Sequence, residues 1–145
     1  MNEKFDAGLG LCWDKNSIAP FPHAKGIRAV DAKYTKAEVQ ANNNVKFLDF
    51  KGREGKITWY QENDGSAGKF NLKVYYACND KNSKRPMNLF INDKKVATLT
   101  FNSTNSWNSN WKEVEIKQYL EAGANYIELC TTGQSAPNIL MLVVE

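Results

Sequence analysis

The sequence predicts an all-β sandwich built from about nine short antiparallel strands. Three observations support this fold class. Apolar and polar residues alternate with a period of two through several short runs. Turn residues, mainly Asn, Asp and Gly, separate these runs at the spacing of β-hairpins. No helical period extends beyond a single turn, although residues 35–40 include a stretch of fair helix propensity.

The first part of the chain is expected to precede the sandwich. Residues 1–26 show no clear periodicity, and Pro20 and Pro22 exclude both a helix and a central strand there. The prediction is therefore an irregular lead-in or linker over 1–26 and a single sandwich domain over 27–145. The strands expected in the first half of that domain cover 27–32 with an extension over 34–39, then 45–50 and 55–60.

The clearest strand of the second half runs from residue 70 to residue 78. Its apolar face carries Phe70, Leu72, Val74, Tyr76 and Cys78. A hairpin with strands over 87–92 and 96–101 follows. The remaining strands are expected over 112–117, 125–131 and 139–144, which completes the sandwich.

The composition excludes several classes of protein. At 145 residues the chain can bury an ordinary core without a metal or a disulfide. Its formal charge of +3 comes from 19 basic and 16 acidic residues scattered without a Lys/Arg block, so no nucleic-acid interface is expected. No apolar run approaches the roughly 18 residues that cross a bilayer, so no membrane span is expected either. The N-terminus lacks the apolar segment of a signal peptide, and we expect an extracellular or cell-surface module taken from a longer secreted protein.

The sequence contains no recognisable catalytic or zinc-binding motif. Its cysteines, Cys12, Cys78 and Cys130, form no CxxC pair, and His23 is the only histidine. Strand alternation places Cys78 on an apolar face and Cys130 opposite the apolar face of its strand, which argues against a disulfide between them. The patterns GxSxG, GxxxxGK and HExxH are absent. The chain is therefore predicted not to be an enzyme.

The stretch from Phe101 to Trp111 indicates what the chain binds. After Phe101 it consists only of Ser, Thr, Asn and Trp, and predicted strands flank it on both sides. A flat apolar ring in such a polar loop is suited to stacking on a sugar. Trp107, between Ser106 and Asn108, is the candidate platform, and the alternative is a semi-buried loop anchor. Trp111 opens the next strand and is expected to pack in the core.

Five segments in sequence order resemble the carbohydrate-binding modules of families 6 and 35. They are Gly-Lys-Phe-Asn-Leu-Lys-Val-Tyr-Tyr-Ala (68–77), Leu-Phe-Ile-Asn-Asp (89–93), Phe-x-x-Thr-x-x-Trp-x-x-x-Trp (101–111), Leu-Glu-Ala-Gly-Ala-Asn-Tyr-Ile-Glu-Leu (120–129) and Pro-Asn-Ile (137–139). The resemblance covers about residues 27–145. It implies a β-jelly-roll with a ligand site in the loops joining its two sheets. It also implies a non-catalytic role beside a polysaccharide-degrading enzyme.

The resemblance further implies individual ligand-binding residues. Trp107 resembles the aromatic residue that stacks on the sugar, and Asn138 resembles the amide before the last strand that hydrogen-bonds a ring hydroxyl. Tyr34 is similar to a second aromatic residue of the family site. Arg85 and Asn105 are further candidates for fixing the orientation of the sugar.

The chain departs from the family pattern where relatives hold a structural calcium ion. The family's first strand usually reads Ile-Glu-Ala-Glu, and an Asp follows the Asn-Ile of its last strand. This chain has Arg28, Val30 and Leu140 at those positions. Because Ca²⁺ takes roughly six to eight oxygen ligands, we expect the site to be empty, with Asp31 too isolated to rebuild it. No other cofactor is expected.

The sequence-based hypothesis is a non-catalytic module that binds a polysaccharide of the plant cell-wall type. Trp107 and Tyr34 would stack on sugar rings, while Asn138, Arg85 and Asn105 would bond to polar groups of the sugar. The expected partners are the polysaccharide and a covalently linked catalytic domain. The alternative is a β-sandwich interaction module of an adhesin or cell-surface assembly, in which the same loop binds protein.

Overall fold

A computed structural model describes residues 26–82 and 84–145, which form two packed antiparallel sheets. The elements are β1 (Gly26–Arg28), a 3₁₀ turn (Ala29–Asp31), β2 (Lys33–Thr35), β3 (Glu38–Asn42), β4 (Val45–Asp49), β5 (Lys56–Asn63), β6 (Gly68–Ala77), β7 (Arg85–Ile91), β8 (Lys94–Phe101), β9 (Lys112–Leu120), β10 (Gly123–Thr131) and β11 (Asn138–Val144). The predicted all-β sandwich is confirmed, with eleven strands among the described residues in place of the nine expected. The predicted lead-in lies outside the described residues except for Gly26, which begins β1.

The additional strands come from the stretch 27–39, which the sequence predicts as one strand with an extension. The chain instead leaves β1 through the 3₁₀ turn, in which the Ala32 N–H donates to the Ala29 carbonyl at 3.1 Å. Lys36 then adopts a positive φ of 56°, and this left-handed conformation ends β2. β2 and β3 consequently pair in different sheets, so the segment crosses from one layer to the other.

The two sheets have simple strand orders. The first sheet runs β9-β6-β11-β4-β3, with β1 also paired to β11, and the second runs β2-β5-β10-β7-β8. β11 lies in the middle of the first sheet and every one of its residues is buried. A strand covered on both faces reads as a continuous apolar run, which explains why 139–144 shows no alternation.

The main core lies between the sheets. Trp59, Phe101, Ile127 and Cys78 are all fully buried in it, and the predicted position of Cys78 on an apolar face is confirmed. Cys78 and Cys130 are both free thiols. Cys12 lies outside the described residues.

A second apolar cluster covers the outer face of the first sheet. It consists of Val45, Phe47, Tyr75, Leu140, Met141 and Val143. A register shift between Ile139 and Met141 accommodates Leu140, which therefore faces this cluster beside Met141. Trp111 packs on the same cluster, with its ring centroid 5.3 Å from that of Phe47. The predicted packing role of Trp111 is confirmed, although the cluster it joins is the outer one.

The connections that hold the candidate residues gather at one end of the sandwich. At this end the ladder pairs Arg85 with Phe101 in the second sheet and Asn138 with Ala77 in the first. Hydrogen bonds join the connections across the layers, for example from Thr104 N–H, after β8, to the Cys78 carbonyl, after β6, at 2.8 Å. We call this region the loop end.

Candidate functional site

Trp107 lies at the loop end with one ring face covered by Arg85. The guanidinium carbon of Arg85 is 4.6 Å from the Trp107 ring centroid, a cation–π contact. Arg85 is itself held in place, because its Nη1 donates to the Ala136 carbonyl at 2.9 Å and its Nε donates to Asp80 Oδ2 at 3.3 Å. Trp107 remains 38% exposed, so the other ring face is open to a ligand.

Asn138 holds the backbone of the same tryptophan. Its Nδ2 donates to the Trp107 carbonyl at 2.7 Å, and the residue is only 5% exposed. No hydrogen bond from a described residue reaches its Oδ1. The amide therefore positions the loop, and its remaining acceptor is the part that a sugar hydroxyl could reach.

The rest of the loop is fixed by its own polar side chains. Thr104 N–H donates to the Cys78 carbonyl at 2.8 Å, and Cys78 N–H donates to Thr104 Oγ1 at 3.3 Å. Ser106 Oγ accepts from the backbone N–H groups of Asn108 and Ser109 at 3.2 and 3.0 Å. The Ser and Thr side chains of this polar loop therefore bond mainly to backbone groups, and they make the loop a rigid support for Trp107.

The far half of the loop crosses the outer face of the first sheet. Asn42 Nδ2, at the end of β3, donates to the Asn108 carbonyl at 2.9 Å. Asn105 adopts a positive φ of 65° and is exposed, with its backbone N–H bonded to Ser103 Oγ at 3.1 Å. Left-handed backbone is tolerated by Asn better than by most residues, so the Asn content of the loop has a conformational cause.

The structure brings Trp107, Arg85 and Asn138 together and places Tyr34 elsewhere. Tyr34 lies on β2, which is three strand positions from β7 in the second sheet. The separation of Tyr34 from Arg85 through the sheet is roughly 20 Å, at about 4.8 Å per strand and 3.3 Å per residue. Tyr34 therefore does not form part of the Trp107 cluster. Asp80 and Ala136, which hold Arg85, were not singled out by the sequence because they act only through tertiary contacts.

A charged cleft of about 540 Å³ lies beside this cluster. Its lining residues are Lys36, Ala37, Glu38, Lys51, Gly52, Arg53 and Glu54. Because Ile139 pairs with Leu48, Asn138 lies level with Asp49, the partner of Lys51 at 3.3 Å. Lys36 and Glu54 form a second exposed ion pair at 2.6 Å, and its hydrogen bond holds the pKa of the Glu54 carboxyl below the usual range. Ion pairs already engage most of the charges in this cleft.

Arg28 and Leu140 stand where the family resemblance implies calcium ligands. Arg28 forms a two-pronged ion pair with Asp31, with Nε and Nη2 at 2.8 and 3.0 Å from the carboxylate oxygens. Leu140 is fully buried in the outer cluster. Across residues 26–82 and 84–145 no group of three or more His, Cys, Asp or Glu side chains is arranged to hold a metal ion.

Comparison with known proteins identifies the class. The fold matches a family 35 carbohydrate-binding module from Clostridium thermocellum with a TM-score of 0.74 and 25% identity, over 83% of this chain and 98% of that one. The family 35 module from Paenibacillus barcinonensis matches with a TM-score of 0.73 and 25% identity, over 83% and 97% of the two chains. The chain has the fold of the family 35 carbohydrate-binding modules and is similar to them in sequence. No sequence-family model matches the module.

One relative of the module is a much longer protein. The module is 38% identical over 152 residues to a putative beta-glucuronidase from Formosa agariphila, and it spans 15% of that protein's length. The whole module is covered by this match. The prediction that the chain is not an enzyme is confirmed by two structural neighbours that are themselves carbohydrate-binding modules, and by the small part of the glucuronidase that is matched. Within the described part of the module, no helix is long and apolar enough to cross a membrane.

Proposed function

We propose that the module binds a polysaccharide through the open face of Trp107 and serves as an accessory module of a secreted glycoside hydrolase. The observation that carries the proposal is the one-sided exposure of Trp107, whose other face is backed by a fixed guanidinium. A ring held in this way stacks on a pyranose without losing side-chain freedom on binding. The partial match to a glucuronidase supports the link to a catalytic domain.

In this proposal some residues around Trp107 contact the sugar, and others hold Trp107 in place. Trp107 is the stacking platform, and Asn138 Oδ1 accepts from a sugar hydroxyl. Arg85 acts by holding Trp107, because its own donors are directed at Asp80 and Ala136. Exposed Asn105 lies two residues before Trp107 and supplies a further hydrogen bond. Tyr34 has no role in this site.

The binding proposal is tested by comparing two exposed aromatic residues. Affinity electrophoresis and calorimetry against soluble polysaccharides, including glucuronic-acid-containing glycans, identify the ligand for the wild-type module. Trp107→Ala is expected to weaken that binding at least tenfold. Tyr119→Ala is the control, since Tyr119 is 51% exposed at the opposite end of β9. Equal affinities of the wild type and Trp107→Ala would move the site elsewhere, and a screen without any glycan ligand would favour a protein-binding role.

We also propose that the Arg28–Asp31 ion pair replaces the structural calcium of related modules. The positive guanidinium opposes a dication at this position, and the buried side chain of Leu140 offers no oxygen ligand. Adding EDTA or calcium is expected to leave the unfolding temperature unchanged within about 1 °C. A clear rise of that temperature with calcium, or a calcium ion in native mass spectra, would contradict this proposal.

A further inference from the structure

The outer face of the second sheet, away from the Trp107 site, has a recessed half and a protruding half. The recess has a volume of about 450 Å³. Its lining residues are Lys33, Tyr34 and Thr35 of β2, Lys56 and Thr58 of β5, and Tyr126 of β10. Tyr34, which the family resemblance assigns to the loop site, lies in this recess instead. Tyr60, the next outward position of β5 after Thr58, begins the protruding half.

Two exposed tyrosines form the protruding half. Tyr60 and Tyr126 pair across β5 and β10 and are 51% and 52% exposed. Their ring centroids are 5.5 Å apart in an edge-to-face arrangement. The half-buried Phe90 of β7 adds apolar surface to the same face, since it alternates with the buried Leu89 and Ile91. Tyr and Phe are enriched where one protein surface binds another.

The charges of β5 lie at opposite ends of this face. Its outward positions are Lys56, Thr58, Tyr60 and Glu62, and they alternate with residues whose side chains point away from the face. No ion pair among the described residues includes Lys56 or Glu62. Glu62 accepts a hydrogen bond from the neutral Tyr60 hydroxyl, so it keeps its negative charge. Lys56 and Glu62 are roughly 20 Å apart along the strand, at about 3.3 Å per residue.

The other charges near the recess preserve this polarity. Lys33 and Glu128 are both level with Thr58, and Lys95 is level with Phe90 beside them. Glu128 accepts from the neutral Thr58 hydroxyl at 3.2 Å and stays ionised. With Lys56, the recessed half therefore carries three positive charges and one negative charge, a net charge of +2. The far end of β5 carries the negative charge of Glu62.

This arrangement is self-complementary under a two-fold axis. An axis that crosses β5 above Trp59 exchanges Thr58 with Tyr60 and Lys56 with Glu62, because the members of each pair are equally far from residue 59. A second copy turned about this axis places its Tyr60 ring over Thr58, in the recess, and its Glu62 beside Lys56. Each contact then occurs twice, as in any isologous interface.

We propose that the outer face of the second sheet binds a second copy of the module in an isologous dimer. The Tyr60 ring of each copy fills the recess of the other, and two ion pairs between Lys56 and Glu62 close the ends of the contact. The strands of the two copies run antiparallel across the interface, so their loop ends point in opposite directions. The proposal goes beyond polysaccharide binding and uses no residue of the Trp107 site.

The size of the face predicts a weak dimer. From Lys56 to Glu62 and from β2 to β7 it measures roughly 20 Å by 15 Å, at about 3.3 Å per residue and 4.8 Å per strand. The planar area from two copies is therefore roughly 600 Å², about half of the 1,200 Å² at which stable interfaces begin. We expect a dimer that forms only at high protein concentration. Because its ion pairs lie at the rim of the contact, added salt is expected to weaken it.

Sedimentation equilibrium over a range of protein concentrations measures this dimer. The wild-type module is expected to change from monomer to dimer as its concentration rises. Tyr60→Ala removes the ring from both recesses and is expected to weaken the dimer at least tenfold. Lys56→Glu and Glu62→Lys each create two contacts between like charges, and each is expected to weaken it at least fivefold. A wild-type module that stays monomeric at every concentration would overturn the proposal.

Mixing the two charge variants tests the pairing itself. Lys56→Glu chains repel one another, as do Glu62→Lys chains, but a mixed dimer has opposite charges at both ends of the contact. An equimolar mixture is therefore expected to recover a dimer within threefold of the wild-type affinity. A mixture that remains as monomeric as its two components would contradict the proposed register.

Two controls separate the contact from general effects of charge and from glycan binding. Lys117→Glu and Glu115→Lys make the same charge changes at exposed positions of β9 in the first sheet, and each is expected to change dimer affinity less than twofold. An equal loss in these variants would overturn the proposal. Trp107→Ala is expected to dimerise like the wild type whether or not it binds a glycan, and loss of its dimer would move the contact to the loop end.

Discussion

Arg85 is the residue whose substitution best tests how the binding loop is held. Replacement by Met keeps much of the side-chain length but removes the guanidinium beneath Trp107 and the donor to the Ala136 carbonyl. A hydrogen bond from a charged donor contributes roughly 1.5–3 kcal/mol. A partly exposed cation–π contact contributes about 0.5–1 kcal/mol. The Asp80 contact is long at 3.3 Å, between side chains that are 19% and 25% exposed, and adds at most about 1 kcal/mol.

The expected loss of unfolding free energy for Arg85→Met is therefore about 2–3 kcal/mol, since Met recovers some apolar packing. For a domain of this size that corresponds to a fall of roughly 5–10 °C in the unfolding temperature. Calorimetry gives this value, and titration with the identified glycan gives the affinity. Both are expected to fall, because Trp107 loses the support of one face.

Arg53 offers a matched control for the substitution of Arg85. Arg53→Met removes the same charge from an exposed position at the same end of the sandwich, where Arg53 has no ion-pair partner among the described residues. It is expected to change the unfolding temperature by less than about 1 °C. An unchanged temperature for Arg85→Met would refute the supporting role. Lost affinity with an unchanged temperature would make Arg85 a direct sugar contact, as the sequence-based hypothesis has it.

Three further predictions concern the loop and the buried titratable groups. Asn138→Ala removes the bond to the Trp107 carbonyl and is expected to cost about 1–3 kcal/mol in urea unfolding; an equal midpoint would show that the bond is dispensable. Burial raises the pKa of the Cys78 and Cys130 thiols, so neither is expected to react quickly with a thiol reagent at pH 7.5 in the folded module; rapid labelling that is blocked by Cys130→Ser would contradict this for Cys130. Burial also raises the pKa of the Tyr76 phenol. These raised values favour the neutral forms in the folded state, so their contribution to stability is complete below the unfolded pKa values of roughly 8.5 and 10 and is lost as the pH rises through the folded ones. The urea midpoint is expected to fall above about pH 8.5, and a flat profile to pH 11 would refute the assignment.

Local patterns were enough to predict most of the fold. The alternation over 70–78 places Leu72, Val74 and Tyr76 on the core face, and β6 confirms this, although Tyr75 and Ala77 on the opposite face are buried as well. The turn residues that separate the strands impose backbone conformations that do not depend on distant contacts. Lys36 is the counterexample. Nothing in the sequence marks a lysine that will adopt a positive φ, so the sequence could not predict that β2 and β3 are separate strands.

The candidate site was only partly predictable. The resemblance to family 35 modules pointed to Trp107 and Asn138, and the structure joins them through the bond from Asn138 Nδ2 to the Trp107 carbonyl. It did not indicate that Arg85 covers one face of the tryptophan, since the two residues are 22 positions apart in sequence. Tyr34 was grouped with Trp107, but the sheet order separates them.

By itself, the sequence determined that this chain is an all-β sandwich with an aromatic residue in a polar loop. Period-two alternation and turn chemistry are local properties, and each is fixed by a few neighbouring residues. Only the tertiary structure decided which ring face of Trp107 is open and that Lys33, Lys56 and Tyr126 share a groove. The physical reason is that strand order and register, set by the packing of the whole core, determine which distant side chains meet.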